Sequence, residues 1–202
     1  SAVVPLVDAV RTVEDVVAES VANRIDVYAV LVDLLDRQCF AVLGYDDIVY
    51  HGEHLLGAGD HARAAHLFRR ALAERPDDAA VMAKLAQALE RIGDAPEAAG
   101  CHAQLALAYV VANVPQLALA CAQRAIALAP QELRLHHVLV RCLIATGDHA
   151  QAVVELRRLV GEYLSRGRLE DARGTCLKIL ELAPGDELAR RELARIYSQA
   201  ER

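Results

Sequence analysis

The chain has 202 residues, of which 54% are apolar and 25% are charged, and its net charge is −6 at pH 7. This apolar content excludes an intrinsically disordered chain, and the lack of a long apolar run excludes a transmembrane helix and membrane insertion. The acidic balance argues against a surface built for nucleic acid. The first ten residues lack the pattern of a signal peptide and no Met begins the chain, so we expect part of a longer protein.

The first 44 residues are predicted to form three short helices and a stub of strand, at 2–10, 12–20, 25–38 and 39–43. Thr12 is the expected N-cap of the second helix, because Asp15 stands three residues later, as in a capping box. The stretch Asp8–Val17 resembles the winged-helix-like tail at the end of bacterial PATAN signalling domains, with Ala9 in the place of their usual glycine. The resemblance implies an N-terminal helical cap over residues 1–24, with residue 44 as an alternative end of the cap. It also implies a bacterial signalling protein.

An internal repeat of 54 residues organises the rest of the chain. Pro76, Pro130 and Pro184 recur at that spacing, each after a similar apolar segment. Turn signals divide each repeat into a helical hairpin of about 34 residues and one further helix of about 14 residues with its turn. The pattern predicts an all-α fold, an α-solenoid of three-helix units. Its expected parts are three units and a C-terminal capping helix, at 25–78, 79–132, 133–186 and 187–202.

Apolar residues recur at helical spacing within each unit, as they do at Leu135, Val138, Leu139 and Cys142. Gly-Asp pairs at 59–60, 93–94 and 147–148 are expected to end one helix and cap the next. Gly59, Asn113 and Gly167 align at a matched turn. The predicted helices after the first two are near 25–38, 45–58, 61–75, 79–92, 95–112, 115–129, 132–146, 149–165, 168–183 and 187–200.

Residues 45–78 contain small residues where two helices would cross, an aromatic residue, and a terminal proline, at Gly52, Ala64, Phe68, Ala71 and Pro76. This pattern resembles the tetratricopeptide repeat, and the likeness extends over 45–202, or 25–202 with the first helix included. The chain departs from that repeat in having no Trp. The resemblance implies a right-handed α-solenoid that acts as a non-enzymatic scaffold. It would bind a peptide or a partner helix in a groove, in a bacterial regulatory assembly such as polarity or motility control.

The first helix of each unit typically lines the groove of tetratricopeptide arrays, so positions i, i+3 and i+7 of these helices are our candidate partner-binding residues. They are Ala80, Ala83 and Gln87 in the second unit, Arg134, His137 and Arg141 in the third, and Arg191 and Arg195 in the final helix. We predict an acidic or carboxylate-bearing peptide anchored by Arg141 and Arg195, with room for an apolar side chain beside Ala80 and Ala83. The alternative is a solvated arginine face without a ligand.

Cysteines and histidines raise the question of a metal site. The five cysteines, with no CxxC pair, are expected to be buried thiols in a reducing cytoplasm. Four histidines cluster at His51, His54, His61 and His66. The repeat places most histidines, including His102, His136 and His149, at packing or turn positions, so we expect no metal site and no cofactor. The chain has no GxSxG or Walker motif, so we expect no enzyme.

Two other functions remain open. A winged helix at 25–38 would suggest a nucleic-acid-binding regulator, although Asp26, Asp33 and Asp36 and a net charge of −4 over 1–44 oppose contact with phosphates. A structural module could instead self-associate weakly, because residues 1–78 have a net charge of −7 and residues 79–202 a net charge of +1.

Overall fold

The computed structural model describes residues 13–20, 23–37 and 43–200. Over these residues the chain is 83% helical and contains no strand. The eleven described helices are α1 (Val13–Glu19), α2 (Arg24–Asp36), α3 (Tyr45–Gly57), α4 (His61–Glu74), α5 (Ala79–Ile92), α6 (Ala95–Val111), α7 (Pro115–Leu128), α8 (Leu133–Ala145), α9 (His149–Ser165), α10 (Leu169–Leu182) and α11 (Glu187–Ala200). The predicted all-α repeat fold is therefore confirmed.

All ten helices predicted from residue 25 onward are present, with ends within about two residues of those expected. Several predictions for the N-terminal segment fall outside the described residues: the first short helix, the Thr12 cap, Cys39 and residues 39–42 of the strand stub. None of the described helices is both long enough and apolar enough to cross a membrane.

Turns and caps between the helices follow from local chemistry. Gly59, Gly93 and Gly147 have φ values of 80–85°, in the left-handed region that a side chain disfavours. The aspartate after each of them accepts a hydrogen bond from a backbone N–H in the first turn of the next helix, at 3.0–3.2 Å. The predicted combination of helix stop and helix cap is confirmed at all three sites.

The chain divides into two compact units, Ser1–Gly93 and Asp94–Arg202. This division falls between α5 and α6, inside the second 54-residue repeat. In the first compact unit, α4 packs between α3 and α5. The Phe68 ring of α4 is fully buried against Gly52 of α3. A separate small core joins α1 to α2 through Val16, Val27 and Leu31.

In the second compact unit, α6 packs closely on α7 because the residues between them are small. Ala106, Ala118 and Ala122 are fully buried there, beside Cys142 of α8. The larger core of this unit lies among α8, α9, α10 and α11, where Leu156, Leu159 and Ile179 are almost wholly buried. This core holds α8 and α10 on either side of α9, and that arrangement forms the candidate site.

Candidate partner-binding groove

A groove of about 660 Å³ opens in the second compact unit between α8 and α10. Val140 and Ile144 of α8, Leu156 of α9 and Val110 of α6 give it an apolar lining. The groove is open beside Gly174 of α10, since a Cβ atom built there has no neighbour within 4 Å. We call this feature the α8–α10 groove, and its shape and lining suit a peptide side chain better than a small polar molecule.

One end of the α8–α10 groove is built around His137 and Tyr163. The two rings stack with centroids 5.9 Å apart at 27°, and His137 Nε2 is hydrogen-bonded to Tyr163 Oη. The guanidinium of Arg168 lies 4.9 Å from the centroid of the Tyr163 ring. These contacts hold both rings in one orientation before any ligand binds.

Burial sets the protonation state of these two side chains. It lowers the pKa of His137, with Asp171 opposing the effect, so the imidazole is neutral at pH 7. Burial likewise raises the pKa of Tyr163, so its phenol keeps its proton. The two rings at the His137 end of the groove are therefore uncharged at neutral pH.

Most charged side chains that line the groove are already paired within the chain. Glu170 accepts from Arg173 at 2.7 Å, Asp171 accepts from Arg168 at 2.8 Å, and Lys178 lies 3.5 Å from Glu181. Arg141 is the exception among the groove-lining residues that the structure describes, since it is exposed and makes no ion pair there. An arginine in that position is available to a carboxylate of a bound partner.

The candidate residues of the second compact unit fall into two groups. His137 and Arg141 both line the α8–α10 groove. Arg134 is exposed earlier on α8, where it forms an ion pair with Glu132, and is not among the groove-lining residues. The two candidate arginines of α11 are exposed and also lie outside the lining; Arg191 is 3.4 Å from Glu187 and Arg195 is 3.7 Å from Glu192.

Ala80, Ala83 and Gln87 belong to the first compact unit. All three are exposed on α5, and their spacing places them on one face of that helix. None of the three side chains is charged, although Lys84 beside them forms an ion pair with Glu53 of α3. Binding of an apolar side chain at Ala80 and Ala83 stays a prediction.

The opposite wall of the groove was not predicted from the sequence. That wall is α10, whose Thr175 and Lys178 face the groove together with Tyr163 of α9. The prediction considered only the first helix of each unit, whereas α9 and α10 are the second and third helices of theirs. Tyr163 aligns with Tyr109 and Leu55 at 54-residue spacing, and that alignment by itself does not indicate a groove.

Burial confirms the predicted packing role of His136 and of three of the four described cysteines. His136 is buried, with Nδ1 2.6 Å from Glu155 Oε1 and Nε2 3.0 Å from the carbonyl oxygen of Pro130. Cys101, Cys142 and Cys176 are buried free thiols and Cys121 is half-buried. Burial raises the pKa of Cys121, Cys142 and Cys176, which leaves them unreactive at neutral pH. The described residues contain no group of three or more side chains able to hold a metal ion.

Three solved structures are similar to this chain, and two of them are of tetratricopeptide-repeat proteins. A thermophilic tetratricopeptide-repeat protein of Thermus thermophilus is 24% identical over 76% of this chain and 99% of that chain, with a TM-score of 0.31. The MamA protein is 20% identical over 78% of this chain and 90% of that chain, with a TM-score of 0.42. The second tetratricopeptide domain of human RPAP3 is 17% identical over 76% of this chain and 98% of that chain, with a TM-score of 0.23.

No curated protein sequence matches the chain. The likenesses to solved structures are distant, so the assignment of a family depends on the repeat itself. The family model for the tetratricopeptide repeat matches residues 51–101 and 103–163, which together make up more than half of the chain. The chain therefore belongs to the tetratricopeptide repeat family.

Proposed function

We propose that this chain is a non-enzymatic scaffold whose α8–α10 groove binds an acidic peptide segment or the acidic face of a partner helix. The tetratricopeptide fold supports a protein–protein interaction scaffold, and the family is typically non-catalytic. The observation that carries the finer proposal is Arg141, an exposed arginine in an apolar groove whose other charged side chains have partners within the chain.

Arg141 is suited to a carboxylate, because a guanidinium donates two parallel hydrogen bonds to it. The apolar lining at Val140, Ile144 and Val110 would take an aliphatic side chain next to that acidic residue. The paired and stacked rings of His137 and Tyr163 lose little conformational entropy when the ligand arrives. The recognised segment is therefore one in which an acidic residue adjoins an apolar residue.

The other candidate residues contribute less to peptide binding or belong to a different surface. Arg134, Arg191 and Arg195 already make ion pairs, so a ligand carboxylate would have to replace an existing partner. We assign Arg195 a secondary contribution for this reason. In the first compact unit, the small uncharged face of α5 at Ala80, Ala83 and Gln87 would accept an apolar side chain.

Synthetic peptides test the proposal. Fluorescein-labelled peptides with one Glu beside two Leu, in a background of Ser and Gly, are titrated with the whole chain and followed by fluorescence anisotropy. The Glu peptide should bind at least about tenfold more tightly than its Gln version, since a hydrogen bond to a charged group contributes about 1.5–3 kcal/mol. Replacing Arg141 (Arg141→Ala) should abolish that difference.

Arg134→Ala is the matched control, because Arg134 is an exposed arginine of the same helix outside the groove. That variant should keep the preference for the Glu peptide, and Arg195→Ala should weaken it by less than Arg141→Ala. Equal binding of the Glu peptide by the parent chain and by a folded Arg141→Ala variant would show that the assignment of the groove is wrong.

The setting of the scaffold is a further part of the proposal. The PATAN-like stretch Asp8–Val17 supports a bacterial regulatory or signalling assembly, with 1–24 as a cap before the repeats. The cysteine count and the absence of a CxxC pair support a reducing compartment, which favours the cytoplasm. Co-purification from the native host with residues 1–202 as bait, identified by mass spectrometry, would test both statements.

A further inference from the structure

The α6–α7 hairpin differs in charge from the rest of the molecule. Residues 98–123, which span most of α6 and the first two turns of α7, contain no Asp, Glu, Lys or Arg. One residue in four is charged over the whole chain, so the surface of this hairpin is unusual. It lies wholly within the second compact unit.

Three large apolar side chains are exposed where α6 turns into α7. Val111 is 83% exposed, Leu117 is 49% exposed and Val114 is 37% exposed. The turn itself is ordered by the left-handed backbone of Asn113, at φ 58°, and by a hydrogen bond from Val114 N to Tyr109 O at 2.9 Å. We call these three residues the hairpin patch.

The repeat shows that this exposure is not required by the fold. At 54-residue spacing the hairpin patch corresponds to three residues in each neighbouring repeat. These are Gly57, Asp60 and Arg63 in the first 54-residue repeat, and Ser165, Arg168 and Asp171 in the third. The matched turns thus have glycine, a hydroxyl or charged groups where the second 54-residue repeat has Val, Val and Leu. Because the same turn forms with polar residues, the apolar residues need another explanation, and exposed apolar clusters mark interaction sites.

The polar side chains of the hairpin indicate what covers the hairpin patch. Its exposed polar residues are amides, at Gln104, Asn113, Gln116 and Gln123. An amide has both a donor and an acceptor, so it can pair with a copy of itself, whereas a carboxylate or a guanidinium cannot. In a two-fold interface the residues close to the axis lie near their own counterparts, and like charges there would repel. A surface of amides and apolar groups therefore suits a second copy of the same chain.

We propose that two copies of this chain associate through their α6–α7 hairpins across a two-fold axis, with the hairpin patch at the centre. Stable interfaces bury about 800 Å² on each partner, which is more than three side chains supply. The dimer should accordingly be weak, with a dissociation constant between about 10 µM and 1 mM. The proposal is independent of peptide binding, since none of the three residues of the hairpin patch lines the α8–α10 groove.

Sedimentation velocity on the whole chain over that concentration range tests the proposal. The parent should show a reversible dimer, and Val111→Asp should weaken it at least about tenfold. Val111→Lys should do the same, while an equimolar mixture of the two variants should regain association, because Asp then faces Lys across the axis. Ser165→Asp is the control, because it changes the matched exposed position in the third 54-residue repeat, and it should leave the dimer unchanged.

Salt separates this interface from an association of acidic with basic surfaces. A charge-free contact should persist or strengthen at high ionic strength, whereas attraction between the acidic N-terminal part and the rest would weaken. Circular dichroism establishes that each variant is folded. A parent that is monomeric throughout, a dimer unaffected by Val111→Asp, or a dimer that dissociates with salt would each overturn the proposal.

Discussion

Arg157 of α9 donates two hydrogen bonds to the buried carboxylate of Asp186, at 3.1 Å from Nε and 2.6 Å from Nη2. The other oxygen of Asp186 accepts from the backbone N–H of Ala189 at 2.9 Å, in the first turn of α11. One carboxylate therefore both caps α11 and ties it to α9. The side chain of Asp186 is 1% exposed, so its loss leaves groups unpaired in a place that water reaches poorly.

Replacing this carboxylate should destabilise the end of the second compact unit. Asp186→Ala removes an N-cap and two charged hydrogen bonds, and should lower the free energy of unfolding by about 2–3 kcal/mol. Urea denaturation at pH 7 measures the change. Glu187→Gln is the control, because Glu187 is exposed and its pair with Arg191 is an exposed i,i+4 pair, so its effect should stay below about 0.5 kcal/mol.

The same carboxylate should make stability depend on pH. The hydrogen bond from Ala189 and then the Arg157 guanidinium hold the pKa of Asp186 below its usual value, so the folded state binds the proton less tightly than the unfolded state. The stabilisation is therefore present above the unfolded pKa of about 3.9 and is lost as pH falls through the folded pKa. The stability difference between parent and Asp186→Asn should shrink below about pH 4; a difference that stayed constant would contradict this account.

Tyr45 and Asp78 form a comparable pair in the first compact unit. The Tyr45 hydroxyl donates to Asp78 Oδ2 at 2.6 Å, while Asp78 Oδ1 caps α5. Desolvation and the Asp78 carboxylate raise the pKa of Tyr45 to about 12, and the hydrogen bond from Tyr45 lowers the pKa of Asp78. Tyr45→Phe keeps the ring beside Arg75 and removes only the hydroxyl, so it should cost about 1–2 kcal/mol at pH 7.

The pH dependence of that cost has a definite sign. Because the folded state binds the Tyr45 proton more tightly, the contribution of the hydroxyl is complete below the unfolded pKa of about 10 and is lost as pH rises through about 12. Ultraviolet difference titration should show one tyrosine missing from the Tyr45→Phe variant in the pH 11–12 range. Loss of a tyrosine that titrates near pH 10 instead would show that the pair does not form.

Gly52 is required by the packing of α3 on α4. A Cβ atom at this position would lie 2.7 Å from Cε1 of the buried Phe68 ring. Gly52→Ala should therefore destabilise the chain by about 1–3 kcal/mol despite the better helix propensity of Ala. Gly161→Ala offers the matched control, because Gly161 also lies within a helix but a Cβ there has no neighbour within 4 Å, so stability should rise by up to about 1 kcal/mol. Thermal unfolding followed by circular dichroism distinguishes these opposite signs.

Local chemistry determined the helices and turns of this protein. Gly93 followed by Asp94 ends one helix and caps the next by backbone conformation and side-chain hydrogen bonding alone. The alignment of Asn113 with Gly59 and Gly167 also predicted a matched turn, and all three residues adopt left-handed backbone conformations there. These features depend on residues a few positions apart, so repeat spacing and helical periodicity were enough to predict them.

The candidate site needed the tertiary structure. His137 and Arg141 were identified on one face of α8, but Tyr163 and the α10 wall face them only because α9 holds α8 and α10 side by side. Arg134 and Arg141 also look alike in the sequence, and contacts decide that the first is paired with Glu132 while the second lies in the groove without an ion pair among the described residues. A groove is a relation between helices distant in sequence, so side-chain packing decides it and local pattern does not.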